Sequence, residues 1–192
     1  MTTPATLASA AIPKTTDLCD ACDAALPCAL PWRGFGQRRA FAGFIETLRC
    51  FEDIGLMRET VAQAGQGRVL VIDGGGSLAR ALFGDLLAGV ASRNGWAGLV
   101  IHGAIRDSAE MAGIDIGVKA LGTVPKRGER TGAGERGGVL QFGGVRFEPG
   151  LRLVADEDGV ILLPRGLTEA DIRIEDAVAA TAAYAAVSPT AR

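Results

Sequence analysis

The chain has 192 residues, 48% hydrophobic and 22% charged, a globular balance that excludes a disordered chain and favours one domain. Lys+Arg is 20 against Asp+Glu 22, a net charge of −2 with no long run of either sign, so no direct nucleic-acid binding through a basic surface is expected. Glycine stands out at 27 residues, about twice the usual share and without a Gly-X-Y period, which excludes collagen and points to turns and close backbone approaches.

Residues 1–14, rich in Ala, Thr and Pro, read as a flexible N-terminus. Met1 to Pro13 lacks a basic segment followed by an apolar core, so no secretory signal is expected. No uncharged apolar run reaches the roughly 18 residues of a membrane span. A cytoplasmic location follows as the expectation, with Cys19, Cys22, Cys28 and Cys50 as reduced thiols.

Thr16-Asp17 is a capping signal for a short helix through Leu18, Cys19, Ala21 and Cys22. Pro27, Pro31 and Gly34 mark an irregular stretch. Ala40 to Cys50 reads as a strand, and Gly55 to Ala64 as a helix ended by Gly65-Gln66-Gly67. Arg68 to Ile72 is an apolar run typical of a strand buried on both faces. It leads into Asp73-Gly74-Gly75-Gly76. Ser77 to Leu82 reads as a helix, and Asp85 to Ser92 as a second one stopped by Asn94-Gly95. Gly98 to His102 is another buried strand, so this order is a βαβ unit.

Val118 to Val124 reads as a strand, and Gly128 to Gly138 as a glycine-rich loop carrying Arg and Glu. Val139 to Phe147, Leu151 to Ala155 and Gly159 to Leu163 alternate with turn signals, which predicts an antiparallel β meander. Thr168 to Asp171 is a helix-start signal before an Ala-rich helix to about Val187. The predicted architecture is α/β: one compact domain with a βαβ layer and a β-rich half, over 15–166. A C-terminal helix and tail follow at 167–192.

Three constellations carry potential chemistry. Asp73-Gly74-Gly75-Gly76 offers either backbone amides to an anion or a tight turn. It is neither G-x-G-x-x-G nor a P-loop. Gly84-Asp85-Leu86-Leu87 opens a helix, where Asp85 caps it or the first-turn amides hold a carboxylate. Arg106-Asp107 lies just past a strand end, where α/β sheets gather ligands. Arg106 offers a bidentate fork to a carboxylate and Asp107 a hard oxygen to Mg2+ or Mn2+, the alternative being a surface ion pair. His102 is the only histidine, which excludes a multi-histidine zinc site and suits a packed strand-end residue. Cys19-x-x-Cys22 has the spacing of a metal or redox pair, but Cys28 and Cys50 do not form a second such pair, so helical core cysteines are expected.

Together "LCDA" (18–21), "CFEDIGL" (50–56), "GRVLVIDGGGS" (67–77), "GLVIHGAIRD" (98–107), "FGGVRFEPG" (142–150) and "DEDGVILLP" (156–164) resemble the regulator of ribonuclease activity A family. That RraA-like family also contains the class II 4-hydroxy-4-methyl-2-oxoglutarate aldolases. The resemblance implies a β/β/α swivelling domain, assembled as a homotrimer or a dimer of trimers, with sites between subunits. Aldolase members carry Gly-Asp-x-x and Arg-Asp about 21 residues apart, as Gly84-Asp85-Leu86-Leu87 and Arg106-Asp107 do here. The ribonuclease-regulating branch has lost those acids, although 50–56 and 67–77 resemble that branch.

Carried over, Gly84, Asp85, Leu86, Leu87 and Arg106 bind a small 2-oxo-acid substrate. Asp107 holds a divalent cation, Mg2+ or Mn2+, largely through waters. Asp85 binds metal-bound water or assists proton transfer. The implied catalytic set is Asp85, Arg106 and Asp107, and the implied reaction is retro-aldol cleavage to two pyruvates, with oxaloacetate decarboxylation through the same enolate. The alternative is a non-catalytic regulator that binds ribonuclease E or an associated helicase. Aldolase members add an acid from a neighbouring subunit's C-terminal region, for which Glu169, Asp171, Glu175 and Asp176 are the nearby residues. No lysine lies in the implied site, which disfavours a Schiff-base aldolase.

Overall fold

The apolar run Val69-Leu70-Val71-Ile72 has every side chain fully buried, as a parallel strand covered on both faces requires. The structure, a computed structural model, describes residues 12–174. In chain order the elements are α1 (Thr15–Ala21), β1 (Leu26–Pro27), β2 (Arg33–Phe35), β3 (Phe41–Arg49), α2 (Gly55–Val61), β4 (Val69–Asp73), β5 (Ala81–Phe83) and α3 (Asp85–Arg93). There follow β6 (Gly98–Ile105), α4 (Ser108–Met111), β7 (Gly117–Thr123), β8 (Glu135–Arg136), β9 (Leu140–Phe142), β10 (Val145–Phe147), β11 (Arg152–Ala155) and β12 (Val160–Leu162). A 3-10 turn at Glu169–Asp171 comes last.

The main sheet runs β1-β12-β11-β3-β4-β6-β7-β2. Its centre, β3, β4, β6 and β7, is parallel, and its flanks are antiparallel. Leu70 and Ile72 pack with Met57 and Val61 of α2 and Ala88 and Ala91 of α3. Val69 and Val71 point the other way, toward Phe142 and Phe147 of the β9–β10 hairpin. Helices therefore cover one face and β structure the other, so the expected α/β class with a β-rich half is the observed one. The Phe41 ring lies across Gly98 and Gly117, where added Cβ atoms would meet it at 2.3 and 2.0 Å. Two of the many glycines are thus explained by one aromatic ring.

Several local expectations need correction. Ser77 to Leu82 is not a helix: the chain turns, then Ala81–Phe83 pairs with β6 as a buried strand. Three consecutive apolar residues carry no period, so strand and helix are indistinguishable there. The strand expected to end at His102 continues to Ile105 through a register shift after Ile101. The first helix starts at Thr15 rather than from a Thr16-Asp17 cap, because Thr15 hydrogen-bonds Asp156 through both its amide and its hydroxyl, each at 2.7 Å. The predicted meander is two hairpins, β9–β10 and β11–β12. The C-terminal helix, Glu175 and Asp176, and residues 1–11 lie outside the described residues.

Candidate active site

The parallel pairing of β5 with β6 builds the site. Phe83 lies opposite Ile105, and the Arg106 amide donates to the Phe83 carbonyl at 2.9 Å. Both strands end at the same level, so Gly84-Asp85 and Arg106-Asp107 leave the sheet side by side at its carboxyl edge. Gly84 is the extended N-cap of α3 and provides no side-chain cap. Asp85 is the first helical residue, not the cap, and its Oδ1 accepts the Leu86 amide at 2.7 Å. Amides of the first helical turn have no intrahelical acceptor and carry the positive end of the helix dipole.

Arg106 Nε donates to Asp107 Oδ2 at 2.9 Å. Asp107 has φ 53 and ψ 42, a left-handed conformation uncommon for a non-glycine residue and costly enough to point to function. This strain swings its carboxylate back over Gly84, where a Cβ would lie 2.6 Å from Asp107 Oδ2. Gly84, Asp85, Leu86, Leu87, Arg106 and Asp107 all line one open cleft of about 230 Å³. The structure therefore brings Gly84-Asp85-Leu86-Leu87 and Arg106-Asp107 onto one cleft.

Three further arginines, Arg58, Arg127 and Arg130, line the same cleft. No carboxylate among the described residues forms an ion pair with any of them. Arg127 foremost, then loss of water, then Arg58 and Arg106, press the Arg130 guanidinium below its ordinary pKa. Four arginines against two aspartates give the cleft an anion-attracting field. Arg127 enters because its segment runs beside β5: the Ala81 amide donates to the Lys126 carbonyl at 2.7 Å, and the Gly128 amide to Ala81 at 2.9 Å.

Asp53 fastens that loop. It is buried, and its carboxylate accepts the Gly55, Thr131 and Gly132 amides at 2.7, 2.7 and 3.1 Å and the Thr131 hydroxyl at 2.6 Å. Burial opposes its ionisation, but the Thr131 hydroxyl and the three amides prevail and hold its pKa below the usual carboxylate range. Sequence reasoning missed Asp53, Arg58, Arg127 and Arg130. The usable signals were an Asp two residues before a helix-starting Gly, and arginines set among loop glycines.

The other candidates do not join the cleft. Asp73 Oδ1 accepts the Gly75 amide at 3.0 Å, and the Gly74 and Gly76 amides donate to the His102 carbonyl at 3.0 and 3.1 Å. The glycine turn thus uses its amides internally and leads into no helix, which corrects the anion-cradle option. His102 Nδ1 sits 3.1 Å from Asp73 Oδ1, and its ring stacks on Phe142 at 4.5 Å, so it is the packed residue expected. Cys19 and Cys22 are only half-buried, with Cys22 at the helix C-cap. Cys28 and Cys50 are the buried pair, and burial pushes their thiols up to about 11 and about 12. Among the described residues no cluster of three or more metal-ligating side chains forms, and no helix is long and apolar enough to cross a membrane. Of the acids sought for a neighbouring site, Glu169 pairs with Arg152, and Asp171 bonds Thr168 in a capping box.

Residues 15–162 match the family described as RraA-like, Aldolase/RraA. A Dechloromonas aromatica protein whose name proposes it as a 4-hydroxy-4-methyl-2-oxoglutarate aldolase is 48% identical over 160 residues, covering 81% of this chain and 98% of that protein. A crystal structure from Geobacillus kaustophilus, named S-adenosylmethionine: 2-dimethylmenaquinone methyltransferase, is 48% identical with a TM-score of 0.78, covering 81% of this chain and 97% of that one. The RNA-processing inhibitor RraA from Thermus thermophilis is 44% identical with a TM-score of 0.78, covering 82% and 96%. The chain belongs to the RraA-like family of aldolases and RraA proteins.

Proposed function

We propose that this chain is a divalent-metal-dependent lyase that cleaves 4-hydroxy-4-methyl-2-oxoglutarate to two pyruvates and also decarboxylates oxaloacetate. The observation that carries this reading is the convergence of Asp85, Arg106 and Asp107 with the start of α3 on one arginine-rich cleft. Asp85 and Asp107 fit a hard cation such as Mg2+ or Mn2+, which takes one or two carboxylates and keeps several waters rather than needing a protein cage. When bound, such a cation supplies Lewis-acid polarisation of the 2-oxo group.

The chain's own residues do the rest. The Arg106 fork and the first-turn amides of α3 hold the 2-oxo-carboxylate. Asp85, directly or through water, takes the proton of the C4 hydroxyl. The C3–C4 bond breaks, a C4 carbonyl forms, and the electron pair moves to the C2 oxygen as an enolate. Arg106 and the helix amides oppose that negative charge from fixed positions. Protonation at C3 releases the second pyruvate. Oxaloacetate reaches the same enolate by losing CO2. Both substrates are dianions, and Arg58, Arg127 and Arg130 provide charge for the far carboxylate.

The proposed assembly is a homotrimer or a dimer of trimers, with the missing acid supplied by a neighbour. Glu169 and Asp171 are already engaged within their own chain. Leu86, on the cleft wall, is 77% exposed, as a subunit contact near the site calls for. A coupled pyruvate-release assay on both substrates, with and without chelator, tests the reading. Metal-dependent turnover lost in Asp107→Ala supports it, and turnover indifferent to both removes it.

A second reading is favoured by the 44% identity to an RNA-processing inhibitor: a cytoplasmic regulator that binds ribonuclease E or an associated helicase. Capture of ribonuclease E by a protein that releases no pyruvate would decide for it.

A further inference from the structure

A second cavity, of about 370 Å³, opens at the other edge of the sheet, around β7 and the edge strand β2. Its floor holds Lys119, opposite Gly34 in the β2–β7 ladder. Val118 and Ala120 point into the helical core, so Lys119 faces away from it. The residue is only 3% exposed. Among the described residues no oxygen accepts a hydrogen bond from its Nζ, and no carboxylate pairs with it. Asp156, Glu157 and Asp158 attract it from the β11–β12 turn and Arg39 repels it, but burial outweighs these and lowers its pKa. Asp156 is already committed to Thr15 and to the Asp158 amide.

Lys119 is buried as a residue and lines the cavity, and with no acceptor for its ammonium among the described residues a counter-charge there would favour the ionised form. Arg39, Gln37 and Ser108 line the same cavity as possible donors, with Glu157 the one acid on its wall. Arg38, also on the wall, is held by both oxygens of Asp115 at 2.7 and 2.8 Å. Gly34 leaves room above the ammonium: a Cβ there would lie 3.4 Å from Nζ.

We propose that this cavity is a second binding site, separate from the cleft, for a small oxoanion whose carboxylate or phosphate oxygens pair with Lys119. Ser108 directly follows Asp107 in the chain, so the two sites flank one short segment. The second site stands on its own observations and does not depend on the lyase reading.

The test uses the whole protein with isotope-labelled lysine. The chain has three lysines, Lys14, Lys119 and Lys126, so the Lys119 side-chain NMR signal is assigned by its loss in Lys119→Met. Inorganic phosphate and acetate are titrated separately, which distinguishes the two anion classes. The expected result is a saturable shift of the Lys119 signal with at least one anion. That shift should persist in Arg106→Gln, which impairs the cleft. It should need about tenfold more anion in the doubly substituted Arg39→Gln, Ser108→Ala protein. No saturable shift with either anion, a shift lost in Arg106→Gln, or one indifferent to the double substitution overturns the proposal.

Discussion

Asp107 Oδ2 lies 2.6 Å from the point where a Cβ on Gly84 would sit, so the first residue of one site motif and the last of the other interlock. Only a glycine leaves the Asp107 carboxylate its place over the start of α3. Gly84 is extended, with φ −150, so its backbone tolerates alanine and the strain of a substitution falls on Asp107. Gly84→Ala is therefore expected to fold with unchanged secondary structure by circular dichroism. Its pyruvate release should fall about a hundredfold, the scale of a misplacement of about 1 Å in a catalytic group.

Arg106 Nε donates to Asp107 at 2.9 Å, and in the proposed reaction its remaining N–H groups hold the substrate carboxylate. Lysine keeps the charge but cannot hold both directions at once. Arg106→Lys is expected to lose about 2–3 kcal/mol of transition-state stabilisation. Steady-state kinetics would show this as kcat/KM lower by roughly 30- to 150-fold. A loss below about threefold would mean that the charge alone suffices.

Much of this site was readable because it rests on contiguous motifs. Gly84-Asp85 and Arg106-Asp107 announce themselves at a helix start and a strand end, and the buried runs at 69–72 and 98–101 place the parallel sheet. What brings the motifs together was not readable. Ala81-Leu82-Phe83 is too short to show a period, and its pairing with β6 is a long-range hydrogen-bonding fact. The left-handed backbone of Asp107 has no sequence signature in a residue other than glycine. Asp53 and Thr131 are 78 residues apart, and no local pattern links a buried carboxylate to so distant a loop.

The glycines give a stability counterpart. Phe41 packs across Gly117, and a Cβ there would meet the ring at 2.0 Å. Gly117→Ala forces the ring or the strand to move in a fully packed core. Chemical denaturation should show a loss of about 1–3 kcal/mol. The double variant Gly117→Ala, Phe41→Leu should be less destabilised than the sum of the single changes, because the smaller side chain relieves the overlap.

Under the proposed function, Arg130 offers a way to separate binding of the far carboxylate from chemistry. It lies on the cleft wall beside Arg127 and has no ion-pair partner among the described residues. Arg130→Gln is expected to raise KM for the dicarboxylate about three- to tenfold with little change in kcat, the pattern of lost uniform binding. Inhibition by pyruvate, which has no far carboxylate, should be unchanged. Added salt should narrow the difference between the two proteins, since the site is open to solvent. A fall in kcat with KM unmoved would place Arg130 in the chemical step instead.

Asp53 connects loop order to acid stability. Its pKa is depressed in the folded chain, while in the unfolded chain it lies near 3.9. A depressed carboxylate contributes stability that is fully present above its unfolded value and is lost as pH falls through its folded value. The melting temperature should therefore drop below about pH 4 more steeply in the parent protein than in Asp53→Asn. Asp115, Asp156 and Glu169 are depressed too, so both proteins keep some acid sensitivity and the difference between the two profiles isolates Asp53. At neutral pH the asparagine variant should be less stable by about 1–3 kcal/mol, because its amide group turns N–H bonds toward the donors of Gly55, Thr131 and Gly132. KM for the dicarboxylate should rise as well, since the segment that carries Arg127 and Arg130 loses its fastening. Identical acid profiles for the two proteins would show that Asp53 titrates alike folded and unfolded.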